Sequence, residues 1–355
     1  MQDLSRVLRT VVWPRHGTAG QAGWLALLPA SWLFGAGVAL RNAAYRLGIL
    51  KVERAPIAVV SVGNLSVGGT GKTPLALWLA RQLAADGMKV ALLLRGYGGE
   101  VGEATVVSRG GGPQVHAKDT GDEAIMLAKC FSGAVITATR RIEGVRLAEQ
   151  LGCGIVVLDD GFQHRALARD FDLVLIDEEE GSLLPAGPMR EGYGALDRAD
   201  AVALVIKRGD GEALAARVTA KPMFNVRFVP SALVESDGGV WHEKALSGLS
   251  GSRIIVVSGI AKPASFYEAL RQWEVELVEV FEYPDHHAYT PQDWQTINRR
   301  AHDVEYIVTT EKDLVKLEEF PFARGKLVAL RVSAAVDRGE ELVRAVRDRA
   351  LHRSV

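Results

Sequence analysis

The chain has 355 residues, of which 48% are hydrophobic and 24% are charged, and its formal net charge at pH 7 is −1. This composition excludes a disordered chain and allows two globular domains. The near-neutral charge provides no general attraction to nucleic acid, so we expect no nucleic-acid partner. The two cysteines, Cys130 and Cys153, lack metal-ligand spacing and are typical of apolar thiols in a reducing compartment.

The N-terminal segment is strongly apolar. No Asp, Glu, Lys or Arg lies between His16 and Arg41. A helix of about 18 apolar residues just spans a bilayer, but Pro29 is expected to break this one. Basic residues flank the segment on both sides, so they specify no orientation across a membrane. We therefore expect it to lie in or dip into one leaflet, with a membrane-spanning helix and a buried hairpin as the alternatives.

The segment from Ser66 to Pro74 reads SVGGTGKTP, between a run of β-forming residues and a helical pattern. This is the layout of a phosphate-binding loop, in which backbone N–H groups and a helix N-terminus face an anion. Lys72 is expected to reach the β- and γ-phosphates, and the Thr73 hydroxyl to hold Mg²⁺. Ser66 stands where the usual pattern begins with Gly. The predicted nucleotide-binding residues of this loop are Ser66, Val67, Gly68, Gly69, Thr70, Gly71, Lys72 and Thr73.

Apolar strands alternate with helical patterns on both sides of this loop. The strands are predicted at 57–62, 89–94, 104–108, 134–138, 155–160, 172–177 and 201–206. Helices are predicted from 75 to about 85, from 120 or 122 to 130 with Thr120 or Asp122 as its cap, and at 141–151. This alternation predicts an α/β fold like that of P-loop NTPases, with a mostly parallel sheet and helices on both faces.

The character of the chain changes near residue 221. Residues 223–228 and 233–234 look like an exposed β-linker, and a smaller α/β domain follows, with strands at 253–258, 275–281 and 306–310. The final pattern at 339–351 indicates an amphipathic helix. The predicted organisation is a membrane-associated segment at 1–50, a P-loop domain at 51–220, the linker at 221–235, the smaller domain at 236–335, and at 336–355 a C-terminal helix that packs back on the core.

Carboxylates and a fixed arginine are the further candidates for chemistry. Asp159 and Asp160 end a strand, where phosphoryl transfer needs a carboxylate for Mg²⁺; the alternative is an Asp that caps a turn. Gln163 follows on the same turn and is a candidate nucleotide contact. Arg190 lies in a rigid Pro/Gly loop and suits a phosphate. Other basic residues, some of them ordinary surface charges, are Arg95, Arg140, Arg141, Arg165 and Lys312.

Two more clusters leave alternatives open. Asp122 and Glu123 follow a strand–loop segment, where a carboxylate is suited to accept a proton from a hydroxyl or to hold a metal. Acidic residues that complement a helix dipole explain the same pattern equally well. The triplet Asp285-His286-His287 is compatible with an acid/base pair, with a loop histidine or, less readily, with a metal site, because no other ligand has suitable spacing.

Eight motifs occur in one order along the chain and carry a specific resemblance. They are GNLSVGGTGKTP (63–74), RGYG (95–98), GDE (121–123), DDGFQHR (159–165), GPMRE (187–191), SGIAKP (258–263), DHHAY (285–289) and TTEKD (309–313). Together they resemble the tetraacyldisaccharide 4′-kinase family, the lipid A 4′-kinases, over nearly the whole chain. The family carries Ser at the position of Ser66. Ala124 departs from it, since Pro often follows GDE there.

The resemblance implies transfer of the γ-phosphate of ATP, with Mg²⁺, to the 4′-hydroxyl of a tetraacylated glucosamine disaccharide 1-phosphate. The expected place is the cytoplasmic face of a bacterial inner membrane, whose lipid surface is a partner of the enzyme. By resemblance Asp122 is the general base and His286, chosen over His287, supports it. Lys72 and Thr73 hold phosphates and Mg²⁺, Asp159 or Asp160 completes the metal site, and Arg190 neutralises transition-state charge. The two domains are expected to close on ATP.

Two rival classes remain for the phosphate-binding loop. A ParA/MinD-like membrane-associated regulatory ATPase also reads GGxGKT, but that group has Lys where this chain has Val67. A GTPase would carry NKxD after a suitable strand, and the sequence has none there. Neither rival explains the second domain or the DHHAY motif.

Overall fold

The computed structural model describes residues 7–96, 99, 102–177, 181–207, 209, 212–216, 218, 221–260 and 263–352. Parts of two quoted motifs, Tyr97-Gly98 and Ala261-Lys262, lie outside the described residues. The strands are β1 (Ala58–Asn64), β2 (Val90–Leu94), β3 (Thr105–Ser108), β4 (Ala134–Thr137), β5 (Ile155–Asp159), β6 (Phe171–Ile176), β7 (Ala201–Val205), β8 (Met223–Asp237), β9 (Val240–Lys244), β10 (Arg253–Ser258), β11 (Glu276–Glu282), β12 (Tyr306–Thr310) and β13 (Leu327–Val336).

The α-helices are α1 (Gly17–Arg46), α2 (Lys72–Ala85), α3 (Ala117–Thr120), α4 (Asp122–Cys130), α5 (Arg141–Gln150), α6 (Glu212–Ala215), α7 (Pro263–Arg271), α8 (Pro291–Arg300), α9 (Glu311–Leu317) and α10 (Gly339–Leu351). A π-helical turn at Leu8–Val12 precedes α1. Shorter 3₁₀ turns lie at Tyr193–Arg198, Leu246–Leu249 and Ala301–Asp303. Almost every strand and helix predicted from periodicity is present, with ends that differ by at most three residues.

Contacts between Cα atoms divide the chain into two compact units. The first unit contains residues 1–76, 155–227 and 336–355, and the second contains residues 77–154 and 228–335, so the division falls within α2, β8 and β13. The predicted domain boundaries separate sequence motifs, whereas these two units are defined by contacts between Cα atoms, so the units do not test the boundaries. They stay a prediction.

The first unit contains a parallel sheet in the order β8-β7-β6-β1-β5, in which the first residues of β8 pair with β7. Every residue of β1 is buried, which explains why its sequence is continuously apolar apart from Ser61 and Asn64. In the β1–β5 register Val62 lies beside Asp159. The phosphate-binding loop and the Asp159-Asp160 pair therefore leave neighbouring strands at the same edge of the sheet. Helix α10 packs against β1 and β6.

The second unit contains two groups of strands. Strand β2 is parallel to β4, and β3 is antiparallel to β4. Strands β11, β10, β12 and β13 pair in that order and are parallel, while the later part of β8 is antiparallel to β9. Helix α4 packs against α9. The predicted mostly parallel α/β fold is confirmed.

Three local predictions were wrong. Helix α1 continues through Pro29, because contacts of Trp24 and Ser31 with one loop hold the helix on both sides of the proline. The N-cap of α4 is Gly121, with φ of 88°, and no side chain caps the helix. The turn α3 ends directly before it, so the two helices are joined through a positive φ that glycine adopts readily. The two β-segments predicted near 223–234 form the single strand β8.

Candidate active site

The loop that follows β1 is held from within by a buried side chain. Asn64 has no exposed surface, and its Nδ2 donates to Thr70 Oγ1 at 2.8 Å and to Ser66 Oγ at 3.4 Å. Gly63 lies so close to Phe162 that a Cβ atom there would approach Phe162 Cβ to 2.5 Å. Sequence reasoning quoted Asn64 within a motif but gave it no role, because this packing depends on how the loop folds back.

The loop backbone curls through two glycines in conformations that other residues rarely adopt. The φ angle is 124° at Gly68 and 90° at Gly71. The N–H of Val67 donates to Pro188 O at 2.8 Å, so it is directed toward the protein itself. Helix α2 begins at Lys72, and the N–H groups of its first turn have no acceptor within the helix. Lys72 folds back, with its Nζ 3.4 Å from Gly68 O.

The two neighbouring aspartates have different partners. Thr73 Oγ1 donates to Asp159 Oδ2 at 2.7 Å, and Asp159 is buried at the end of β5. Asp160 has a positive φ of 56°, and Arg190 Nη1 lies 3.0 Å from both of its carboxylate oxygens. Lys72 Nζ lies 3.8 Å from Asp160 Oδ1. The hydroxyl of Thr73 and the carboxylate of Asp159 are hard oxygen ligands, which Mg²⁺ prefers, so this pair fits the predicted ion.

Gln163 bridges the loop and Arg190. Its Nε2 donates to Asn64 O at 2.8 Å, and its Oε1 lies 3.3 Å from Arg190 Nη1. The side chain predicted to contact the nucleotide is thus bonded to two other parts of the site. Its role toward a nucleotide stays a prediction.

Residues 182–191, here called the Pro-Gly loop, contact the phosphate-binding loop. Arg190 N donates to Leu65 O at 2.7 Å, and Pro188 O accepts the Val67 N–H described above. Gly187 is required where it stands, since a Cβ would lie 2.2 Å from Ser182 O. These backbone bonds fix the position from which the Arg190 guanidinium reaches Asp160.

The Pro-Gly loop also contacts the N-terminal helix. Trp24 Nε1 donates to Ser182 Oγ at 3.0 Å, and Ser31 Oγ donates to Leu183 O at 2.6 Å. Toward the end of α1, Asn42 Nδ2 donates to Glu191 Oε2 at 2.8 Å. Both halves of α1 are therefore tied to one loop of the first unit.

A second group of polar residues, within the second unit, surrounds Asp122 at the start of α4. His286 Nδ1 lies 3.6 Å from Asp122 Oδ2, and Lys316 Nζ lies 3.4 Å from the same oxygen. His286 has a positive φ of 62°, a backbone conformation that residues other than glycine adopt rarely. His287 instead stacks on Tyr283 and lies 3.1 Å from Asp293 Oδ2. The structure thus brings Asp122 together with His286 and separates it from His287.

Charges around Asp122 control its protonation. Burial alone would raise the pKa of Asp122, but contact with His286 and the ammonium groups of Lys316 and Lys312 outweighs burial, and the pKa lies well below that of an ordinary carboxyl group. Contact with Asp122 raises the pKa of His286, against burial and the charge of Lys312. Asp122 is therefore ionised at neutral pH, as an acceptor of a substrate proton must be.

The remaining basic candidates divide between the site and ordinary structure. Lys312 contacts His286 at 3.1 Å. Arg140 is exposed beside Glu143, Arg141 is buried and donates to Ala138 O, and Arg165 donates to Asn42. Sequence reasoning did not select Lys316, whose place beside Asp122 depends on the packing of α4 on α9. Among the residues that the structure describes, no three His, Cys, Asp or Glu side chains are grouped to hold a metal ion.

Comparisons with known proteins agree on one family. The family model described as tetraacyldisaccharide-1-P 4′-kinase matches residues 23–350. A tetraacyldisaccharide 4′-kinase of Anaeromyxobacter dehalogenans is 41% identical, over 97% of this chain and 95% of the relative. One of Syntrophotalea carbinolica is 40% identical, over 85% and 86%. Among solved structures, "apo" form LpxK from Aquifex aeolicus in complex with ATP aligns with a TM-score of 0.77 and 31% identity, over 92% of this chain and 99% of that one.

Proposed function

Because the chain belongs to the tetraacyldisaccharide-1-P 4′-kinase family, we propose that it transfers the γ-phosphate of ATP to the 4′-hydroxyl of tetraacyldisaccharide 1-phosphate, a step of lipid A biosynthesis. The observation that carries this proposal is that a phosphate-binding loop with a Thr–Asp pair and a separate carboxylate–imidazole pair occur in one chain of this family. The solved relative binds ATP, which supports ATP as the donor.

The residues that would bind the phosphate donor, here called the donor group, all lie in the first unit. The first-turn N–H groups of α2 and the Lys72 ammonium bind the phosphates. Thr73 and Asp159 would hold Mg²⁺, which when bound neutralises charge on the β- and γ-phosphates. Arg190 stabilises the negative charge that spreads over the transferred group, and Asp160 and Gln163 orient its guanidinium.

The residues that would activate the acceptor hydroxyl, here called the acceptor group, are Asp122, His286 and Lys316, and all lie in the second unit. The new P–O bond forms as the bond to ADP breaks, and the ionised carboxylate of Asp122 accepts the proton that the hydroxyl then loses. His286 and Lys316 both contact Oδ2 of Asp122, so they fix the carboxylate and bias its other oxygen toward the substrate. The Asp122 carboxylate is a weak base. Such a base suits a loose transition state, in which the hydroxyl proton transfers late and the positioning of the hydroxyl contributes most to the rate.

The enzyme acts on a lipid, and α1 supplies a surface for a membrane. Trp32, Leu33 and Leu40 are 70%, 76% and 74% exposed on this helix, which by length and composition is also sufficient to cross a bilayer. Its side-chain hydrogen bonds with the folded unit run from Trp24 to Asn42, a distance of about 27 Å along a helix. A helix tied to a polar loop over that length is suited to lie along one leaflet. We propose that it does so at the cytoplasmic face of the inner membrane, where ATP is present.

Replacing Trp32, Leu33 and Leu40 together with Ser is expected to lower the affinity for phospholipid vesicles by at least about 100-fold. Each large apolar side chain contributes roughly 1.5–3 kcal/mol when it leaves water. Vesicle sedimentation measures the effect. The matched control replaces exposed apolar residues of the second unit, Val240, Leu277 and Val278, with Ser and should bind as the original chain does. Equal vesicle affinity for the helix variant and the control would contradict the assignment.

The proposed reaction is tested by transfer of ³²P from γ-labelled ATP to lipid A disaccharide 1-phosphate in detergent micelles with Mg²⁺. Product labelled at the 4′ position is the expected result. Normal ATP binding without transfer would refute the kinase and leave the regulatory ATPase. That alternative is not favoured, because the family match covers both units and Val67 replaces the lysine typical of ParA/MinD-like proteins.

A further inference from the structure

Lys312 contacts the histidine of the acceptor group on the side away from Asp122. It lies in the first turn of α9, and its Nζ is 3.1 Å from His286 Nε2. The opposite ring nitrogen of His286, Nδ1, is the atom that faces Asp122. The imidazole is therefore placed between an ammonium group and a carboxylate.

A lysine ammonium has three donors and no acceptor, so contact at this distance requires a lone pair on Nε2. A neutral imidazole with a lone pair on Nε2 carries its proton on Nδ1. That proton points toward Asp122 Oδ2. The contact with Lys312 thus selects the one neutral tautomer in which His286 donates to the proposed base.

The ammonium itself is held by carboxylates from two other elements. Lys312 Nζ lies 3.0 Å from Asp285 Oδ1 and 3.6 Å from Glu123 Oε1. Burial lowers the pKa of Lys312, but Glu123 and Asp285 more than compensate, and its pKa is raised. Lys312 therefore stays charged throughout the range in which the enzyme would work, and its side chain is only 15% exposed.

From these contacts we propose that Lys312 is a positioning residue of the acceptor group, which selects the tautomer of neutral His286 and opposes a second positive charge on this ring beside Asp122. The expected effect on the rate rests on the proposed function, whereas the contact of Lys312 with His286 and the tautomer it selects do not. Lys312 acts through His286 and requires no contact with either substrate.

The charged groups around His286 predict the direction of the pH effect. Asp122 and Glu123 face it from α4, Asp285 from its own loop, and Lys312 and Lys316 from α9. Lys312 is the charge that lowers the pKa of His286, whereas Asp122 and Asp285 raise it. Removing Lys312 should therefore keep His286 protonated to a higher pH, and an imidazolium would bind Asp122 more strongly and weaken it as a base.

The test compares Lys312→Met, Lys312→Arg and, as a matched control, Lys244→Met, which removes a lysine paired with Glu235 elsewhere in the second unit. The full-length chain with ¹⁵N-labelled histidine is measured by NMR in detergent micelles. His286→Gln identifies the His286 signals. Above the pH at which His286 titrates, the original chain should show the neutral ring with its proton on Nδ1. The Met variant should show both neutral tautomers and a His286 titration displaced upward by about one pH unit.

Steady-state kinetics provide the second measurement. Lys312→Met should lower kcat at pH 7 by about tenfold or more, with a smaller loss at high pH and an unchanged KM for ATP. Lys312→Arg keeps the charge and the donors, so it should restore most of the pH profile. Lys244→Met should match the original chain. Unchanged NMR signals of the other histidines of the second unit show that a variant is folded, and Lys312→Gln replaces the Met variant if that one is not.

An unchanged tautomer and titration of His286 in Lys312→Met would overturn the inference, whatever the rate. An upward titration shift with mixed tautomers supports it even if the original chain transfers no phosphate to the lipid. In that case the proposed function fails and the positioning of His286 by Lys312 remains.

Discussion

Replacing Asp122 with Asn should lower kcat for phosphate transfer by about 10²- to 10⁴-fold, the usual contribution of a general base. The amide keeps the size of the side chain but cannot accept the proton of the attacking hydroxyl. Because the residues proposed to bind ATP belong to the other unit, the KM for ATP should change by less than about threefold. Rates with labelled ATP and lipid acceptor, measured at saturating concentrations of both, give the comparison.

Asp303→Asn is the matched control, since Asp303 is an exposed carboxylate of the same unit and lies in a 3₁₀ turn. It should keep the original rate. The pH profile adds a second criterion, because the loss in Asp122→Asn should persist at every pH if the base itself is gone. A kcat for Asp122→Asn within about threefold of the original value would eliminate Asp122 as the base.

Replacing Arg190 with Met should reduce kcat by about 10³-fold, the lower end of the effect of an arginine that stabilises a transferring phosphoryl group. A lysine at this position would retain a charge but not the planar fork, so Arg190→Lys should recover only part of the loss. The transfer assay measures both variants. Arg349→Met provides the control, because Arg349 is an exposed arginine of the same unit beside Asp200.

The contact between Arg190 and Asp160 offers a sharper distinction. If Arg190 acts only by holding Asp160, then Asp160→Asn alone should be as impaired as the double variant Arg190→Met/Asp160→Asn. If Arg190 acts on the phosphate, the double variant should be much slower than Asp160→Asn. A double-mutant cycle on kcat therefore separates the two roles, and equal rates for Asp160→Asn and the double variant would contradict the proposed one.

The donor group was predictable from sequence because it is local. A strand, a glycine-rich turn and a helix follow one another from β1 to α2, and their sequence alone predicts which residues would face a phosphate. The parallel pairing of β1 with β5 then places Asp159 beside the loop, as expected for neighbouring strand ends. What sequence reasoning left open was the division of labour between Asp159 and Asp160. The positive φ of Asp160, which directs its side chain to Arg190, depends on the turn that follows the strand.

The acceptor group was less predictable because long-range packing assembles it. Asp122 and His286 are separated by 164 positions in the sequence numbering, and spacing alone left the role of Asp122 open. Only the resemblance to a family selected His286 over His287. Lys316 became visible once α4 was seen to pack on α9. The error at Pro29 has a similar origin: helix propensity penalises proline locally, whereas the contacts of Trp24 and Ser31 that hold α1 act from outside the helix.

The Pro-Gly loop links the apolar N-terminal helix, which limits solubility, to the proposed nucleotide site. It bonds to α1 through Ser182 and Leu183, and to the phosphate-binding loop through Pro188. A shortened protein without its first 46 residues, the usual route to a soluble preparation, would leave these partners of α1 unsupported next to Arg190. Such a preparation should dissolve more easily and yet bind nucleotide in an altered site. Inhibitor screens against the ATP site therefore call for the full-length chain in a lipid or detergent environment.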